Sequence, residues 1–289
     1  MEQKLMNIVL VPTDFSNIGQ NAVNHGAEIA KFLNYKLLLL HVVNRETRAT
    51  FKKENSTEHD LLEKLASIGK EMQNTYGIQT DHMIREGSIF EAIHLTASEQ
   101  GANLMVLGTH GKKGLQHVFG SHALKVVTRS PVPTIVVQKR GFGEGYRNIV
   151  FPVNDFTEAR QQVQWARIIA NSFNSRIHIF RQPSNDPDIA NKLAIVTNQV
   201  EEAFQQNNID YAIVRAEKRE KFARQFLSFA ASIHADLIMI MTDADIFSPD
   251  FPAGQWDEKI MFNEAQIPVM CINPIITGKV FYEKIGSGL

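Results

Sequence analysis

Short, continuously apolar runs alternate along this chain with longer segments in which apolar residues recur at helical spacing. In the first half the apolar runs predict strands at about 6–12, 36–43, 79–85, 103–108 and 133–138, and the segments between them predict helices at about 17–33, 56–76, 88–100 and 119–129. In "NIGQNAVNHGAEIAKFL" the residues Ile18, Ala22, Ile29 and Phe32 fall near one helix face, and Ser16 precedes it as a candidate N-cap. The strands read apolar throughout, not alternately apolar and polar. That is the pattern of strands covered on both faces in a parallel sheet. The expected class is α/β, a doubly wound Rossmann-like fold.

The pattern occurs twice. "NIVLVPTDFS" (Asn7 to Ser16) aligns without a gap on "NIVFPVNDFT" (Asn148 to Thr157), setting Asp14 over Asp155 and Phe15 over Phe156. "YKLLLLHVV" parallels "SRIHIFRQP", "ANLMVLGTH" parallels "ADLIMIMTD", and "VPTIVVQ" matches "IPVMCIN". The expected organisation is a first domain over 1–140, a second over 147–275 and a C-terminal tail over 276–289. The joining segment "KRGFGEGY", Lys139 to Tyr146, has linker chemistry. Each half ends in an apolar strand suited to pair with the other, so an intramolecular pseudodimer is expected, and a homodimer is a further partner state.

With 289 residues, 44% hydrophobic and 21% charged, the composition is that of a folded globular protein. A formal net charge of −1 provides no basic field for nucleic acid or an acidic membrane surface. The apolar residues before Pro12 and Asp14 are too few for a signal segment, and no apolar run approaches the length of a membrane span. Cys271, the single cysteine, lies in the apolar run "IPVMCI" and reads as a small buried thiol. A cytoplasmic location is expected.

The stretch "VLGTHGKKGLQHVFGS", Val106 to Ser121, carries the candidate chemistry. Its glycines Gly108, Gly111, Gly114 and Gly120 serve either tight turning or the close approach of backbone N–H groups to an anion. In an open parallel sheet a ligand binds beyond the carboxyl ends of the strands, where strand order reverses. That places Pro12, Thr13 and Asp14 beside His41 and Val42 and the glycine loop. Asp14 reads equally as an acceptor for a ribose or base group and as a turn residue starting the first helix. The loop leads into a helix expected to begin near Gly120 and Ser121, whose free N–H groups suit an anion. His110, Lys112 and Lys113 add polar and charged groups that solvent alone would also accommodate. His110, His117 and His122 give no metal-ligand spacing, and "GTHGKKG" lacks the spacing and hydroxyl of a P-loop.

These residues resemble the universal stress protein (UspA-like) family in its tandem form, with domains of the adenine nucleotide alpha hydrolase-like kind. The resemblance rests on "VPTDFS", "LLLLHVV", "VLGTHGKKGL" with "GS", "ALKVV" and "PVPTIVV", and it covers both halves. It implies ATP, with or without magnesium, as the ligand. It assigns adenine and ribose contacts to Pro12, Asp14 and Val42, and phosphate contacts to Gly108, His110, Gly111, Gly120, Ser121 and His122. With Thr13, Leu107 and Lys112 these complete the candidate nucleotide-binding set; no catalytic or metal-ligating residue is assigned. ATP-binding members have G-x-x-G, nine residues, then G-[ST]. Here eight residues separate Gly111 from Gly120, which bears hardest on the distal phosphates.

In the second half Met241 replaces Gly108, Ala244 replaces Gly111 and Gln255 follows Gly254 where Ser121 follows Gly120, while Asp243 and Asp245 add negative charge. That half is expected to hold no nucleotide, leaving Asp155 a turn residue. The leading expectation is a regulatory stress-response protein with one nucleotide site and at most slow ATP hydrolysis. The alternative is an interaction module that binds no nucleotide. An adenylating synthetase would need a pyrophosphate loop after the first strand, and "VPTDFSNIGQ" has none.

Overall fold

The apolar runs become the strands of one sheet, and the amphipathic segments become helices on its two faces. The computed structural model describes residues 6–109, 117–154, 159–218, 221–242 and 259–274, with backbone only at 52, 54, 117–122 and 159–161. In the first half β1 (Ile8–Pro12), α1 (Asn17–Leu33), β2 (Lys36–Val43), α2 (Arg45–Glu54), α3 (Glu58–Tyr76), β3 (Thr80–Glu86), α4 (Ile89–Glu99), β4 (Leu104–Gly108), α5 (His117–Thr128) and β5 (Thr134–Val137) follow in order. The second half has β6 (Asn148–Val153), α6 (Ala159–Phe173), β7 (Arg176–Arg181), α7 (Pro187–Gln206), β8 (Asp210–Arg215), α8 (Phe222–Ser232), β9 (Leu237–Met241) and β10 (Val269–Ile272).

Among the described residues ten strands form one sheet in the order β3-β2-β1-β4-β5-β10-β9-β6-β7-β8. Pairing is parallel within each half, with Val9 against Leu37 on one side and Leu104 on the other. The two terminal strands meet antiparallel, Ile135 opposite Met270, so each covers the other's open edge. Alternate residues of each strand feed two core layers. Val9, Val11, Leu37 and Leu39 pack with Ala22, Ile29 and Leu65 and continue to Phe151, Ile177 and Phe204. Leu10, Leu38 and Leu40 pack on the other face with Ile93 and Val126 and continue to Phe226 and Ile238.

Three local features differ from the expectations. Residues 45–54 carry no apolar stripe, yet they form α2, because the Asn44 carboxamide accepts from the N–H groups of Glu46 and Thr47 and caps it. Helix α5 includes His117, so Gly120 and Ser121 lie inside it rather than at its entrance. The joining segment is a packed element. The Arg140 carbonyl accepts from Asn21 and His25 of α1, and its guanidinium donates to the Ala235 carbonyl and pairs with Asp236 of the second half. Phe142 lies 5.0 Å from Tyr146 and 5.9 Å from Phe173, ring centre to ring centre, and Tyr146 is fully buried. The glycines Gly143 (φ +70°) and Gly145 (φ +100°) let this segment turn. Asp155, Asp243, Ala244, Asp245, Gly254, Gln255 and the tail 276–289 lie outside the described residues.

Candidate functional site

Strand order reverses around β1, whose neighbours β2 and β4 carry the chain in opposite directions across the sheet. Beyond the carboxyl ends of these three strands lies a cleft of about 540 Å³. Its inner walls are apolar, with Leu40, Val42, Ile93, Leu107 and Val126 among the lining residues, and its rim is polar.

The rim is built from the turn between β1 and α1. The Thr13 N–H donates to the Leu40 carbonyl (2.8 Å), which ties the strand end to β2. Its hydroxyl oxygen accepts from the Phe15 N–H (3.1 Å). Asp14 Oδ1 accepts from the Ser16 N–H (3.0 Å) and hydroxyl (2.6 Å), and the Ser16 hydroxyl oxygen in turn accepts from the Gly19 N–H (3.0 Å). Asp14 is therefore a turn residue through one carboxylate oxygen while the side chain as a whole remains exposed on the rim. Gly19 makes this geometry attainable. A Cβ there would stand 2.5 Å from Asp14 Oδ1 and 3.0 Å from the Thr13 hydroxyl.

Phe15 adopts φ +62°, a left-handed conformation in which a side chain is strained. Its ring is held on two sides, with the His41 imidazole stacked at 4.7 Å and the Lys64 ammonium 4.2 Å from the ring centre. His41 Nδ1 lies 2.8 Å from the Thr13 carbonyl, which only accepts, so Nδ1 carries the proton. Burial holds the His41 pKa below its ordinary value, aided by Lys64 and opposed by the Thr13 bond and Asp14. The imidazole is neutral at pH 7. Thr47, Phe51, Leu61 and Lys64 of α2 and α3 form the outer wall.

Gly108 ends β4 against α1. A Cβ there would meet the Ile18 carbonyl oxygen at 2.9 Å and Ile18 Cγ2 at 3.1 Å, so close packing of the helix on the strand already requires this glycine. Met241, at the matching end of β9, is buried.

Of the candidate residues, Pro12, Thr13, Asp14, Val42, Leu107 and Gly108 converge on the cleft. His110, Gly111 and Lys112 lie outside the described residues, and Gly120, Ser121 and His122 are described as α5 backbone alone. Ala123 and Val126 of the same helix line the cleft, so α5 borders it. Sequence reasoning missed Phe15, Gly19, Lys64 and the α2 wall. A glycine three residues after an N-cap serine, inside an amphipathic helix, was the one available signal for Gly19. Among the described residues no cluster of His, Cys, Asp and Glu is arranged to hold a metal ion, and no helix is long and apolar enough to cross a membrane.

Fold and cleft together define a doubly wound α/β protein with a ligand-sized opening at the switch point of its first half. The universal stress protein family model matches residues 6–138. A universal stress protein of Methanocaldococcus jannaschii is 30% identical over 145 residues, covering 47% of this chain and 85% of that protein. A second one from the same organism is 25% identical over 154 residues, covering 46% and 94%. This chain belongs to the universal stress protein family. The crystal structure of a universal stress protein from Archaeoglobus fulgidus covers 93% of this chain and 98% of its own, with a TM-score of 0.72 at 15% identity, a likeness of fold. A Pseudomonas aeruginosa structure has a TM-score of 0.66 at 14% identity, covering 98% of both chains.

Proposed function

We propose that the first-half cleft binds an adenine nucleotide, ATP, and that the protein acts in the stress response of the cytoplasm by binding rather than by strong catalysis. The observation that carries this reading is the convergence of Pro12, Thr13, Asp14, Val42, Leu107 and Gly108 on one opening. Its apolar inner walls suit a planar base, and its rim offers the Asp14 carboxylate and the Thr13 and Ser16 hydroxyls to a ribose or an exocyclic amine. With no carboxylate cluster among the described residues, magnesium would enter with the phosphates, holding water and phosphate oxygens. We further propose that 1–140 and 147–275 are the two domains, packed as an intramolecular pseudodimer across β5 and β10.

Two observations favour the second reading, an interaction module without nucleotide. Gly108 has a packing reason that owes nothing to a ligand, and Asp14 already serves the turn into α1. Filling the base slot separates the two readings. Val42→Trp, tested by equilibrium titration with ATP and with adenosine, abolishes both affinities if the cleft holds the nucleoside. Wild-type protein that binds neither supports the interaction module.

A further inference from the structure

Among the described residues nothing pairs with the outer edges of the end strands β3 and β8, and the two edges differ in kind. At β3, charged side chains are engaged along the strand: Asp81 with Lys36 (2.7 Å), Arg85 with Glu99, and Glu86 with Arg48 (2.5 Å). Such an edge resists pairing with another strand. At β8 the charges stand only at the ends, Asp210 and Arg215, and the stretch between them is "YAIV", with Ile213 39% exposed. We propose that two copies of this chain associate through antiparallel pairing of their β8 edges, with Ile213 on the two-fold axis, joining the two sheets into one.

Backbone bonding selects that register. The Ala216 N–H donates inward to the Arg181 carbonyl of β7 (2.9 Å). Backbone groups alternate sides along a strand, so Ala212 and Val214 also face β7, and Tyr211, Ile213 and Arg215 turn their N–H and C=O groups outward. In a two-fold antiparallel pair, facing residues share a face of the sheet, so they must be an even number of positions apart. With Ile213 opposite its mate, Tyr211 faces Arg215 of the second copy, and all three outward residues exchange both backbone bonds. An axis at Ala212 sets Arg215 against Ile209, whose N–H already donates to the Phe204 carbonyl. An axis at Val214 sets Tyr211 against Glu217, whose N–H already donates to the Gln225 side chain.

The side chains in this register are complementary. Within one chain Arg215 stands in register beside Arg181, and among the described residues neither has a carboxylate at ion-pair distance. Burial first, and Arg215 next, hold the Arg181 pKa below its ordinary value, with Glu201 opposing. On the same face the Tyr211 hydroxyl donates to Glu201 of α7 (3.2 Å) and accepts from Gln205 (2.7 Å). Association sets Arg215 of the second copy opposite Tyr211 and beside Glu201, a cation against an aromatic ring and a carboxylate, made twice by symmetry. The exposed Ile213 side chains bury against each other. Strand β5 cannot offer this edge, because β10 already occupies it.

Sedimentation equilibrium of the full chain across the micromolar range tests the proposal. The wild type is expected at twice the single-chain mass. Ile213→Lys and Arg215→Glu are expected at the single-chain mass with unchanged far-ultraviolet circular dichroism, and Glu201→Arg combined with Arg215→Glu restores the dimer. Cys271 is the chain's only cysteine and is buried, so Ile213→Cys under mild oxidation reports the axis directly by an intermolecular disulfide that Ala212→Cys does not form. A single-chain mass for the wild type, a dimer untouched by both substitutions, or a charge exchange that fails to restore association overturns the proposal.

Discussion

His25 is a neutral histidine whose burial ties the stability of the joined halves to pH. It is wholly inaccessible to solvent, its Nε2–H donates to the Arg140 carbonyl at 2.9 Å, and its Nδ1 has no partner among the described residues. Its ring meets that of Phe142 edge-on at 5.4 Å. Burial lowers its pKa from 6.5 to about 4, the Arg140 hydrogen bond opposing this shift and the Arg140 charge adding to it. Between those values the unfolded chain binds a proton that the folded chain refuses, so stability rises with pH across the window. The contribution is whole above the unfolded pKa and is lost as pH falls towards 4. A gap of roughly 2.5 units at about 1.4 kcal/mol each makes it roughly 3–4 kcal/mol in all. Urea unfolding from pH 7 to pH 4.5 measures it, with His25→Gln as the control that keeps a donor for Arg140 but does not titrate. The wild type loses stability faster than the variant as pH falls. Equal slopes for the two proteins refute the assignment.

Gly19→Ala improves local helix propensity yet drives the Asp14 carboxylate from its seat; isothermal titration is expected to show ATP affinity falling roughly 5- to 30-fold, about 1–2 kcal/mol, with the fold retained. Gly108→Ala forces α1 off β4 and lowers unfolding free energy by about 1–3 kcal/mol with or without ATP, read by thermal denaturation. Tyr146→Phe removes a buried hydroxyl that has no partner among the described residues, and chemical denaturation finds the variant as stable as the wild type or more so by about 1 kcal/mol.

The strands were legible because burial on both faces leaves continuous apolar runs, and most helices because one buried face imposes a period. Helix α2 was not, since among its described side chains only Thr47 and Phe51 are half-buried, facing the cleft, and a cap, not a stripe, holds it in place. The joining segment was read from its glycines, which report that the chain turns but not that Phe142 and Tyr146 then enter an aromatic cluster between α1 and α6. At the site, topology alone brought Pro12, Asp14, Val42 and Gly108 together. The left-handed Phe15, clasped by His41 and Lys64, depends on contacts between residues far apart in the chain, and no local pattern announces it. Gly108 illustrates the converse, a glycine that fits a ligand pattern and also has a neighbour, Ile18, that demands it.

Calorimetric titration of the full chain with ATP in the presence of magnesium reads out whether the first-half cleft holds one nucleotide. Saturable binding at one site per chain is expected, weakened by Gly19→Ala and abolished by Val42→Trp. Absence of saturable binding, two sites per chain, or a single site indifferent to both substitutions contradicts nucleotide binding in this cleft.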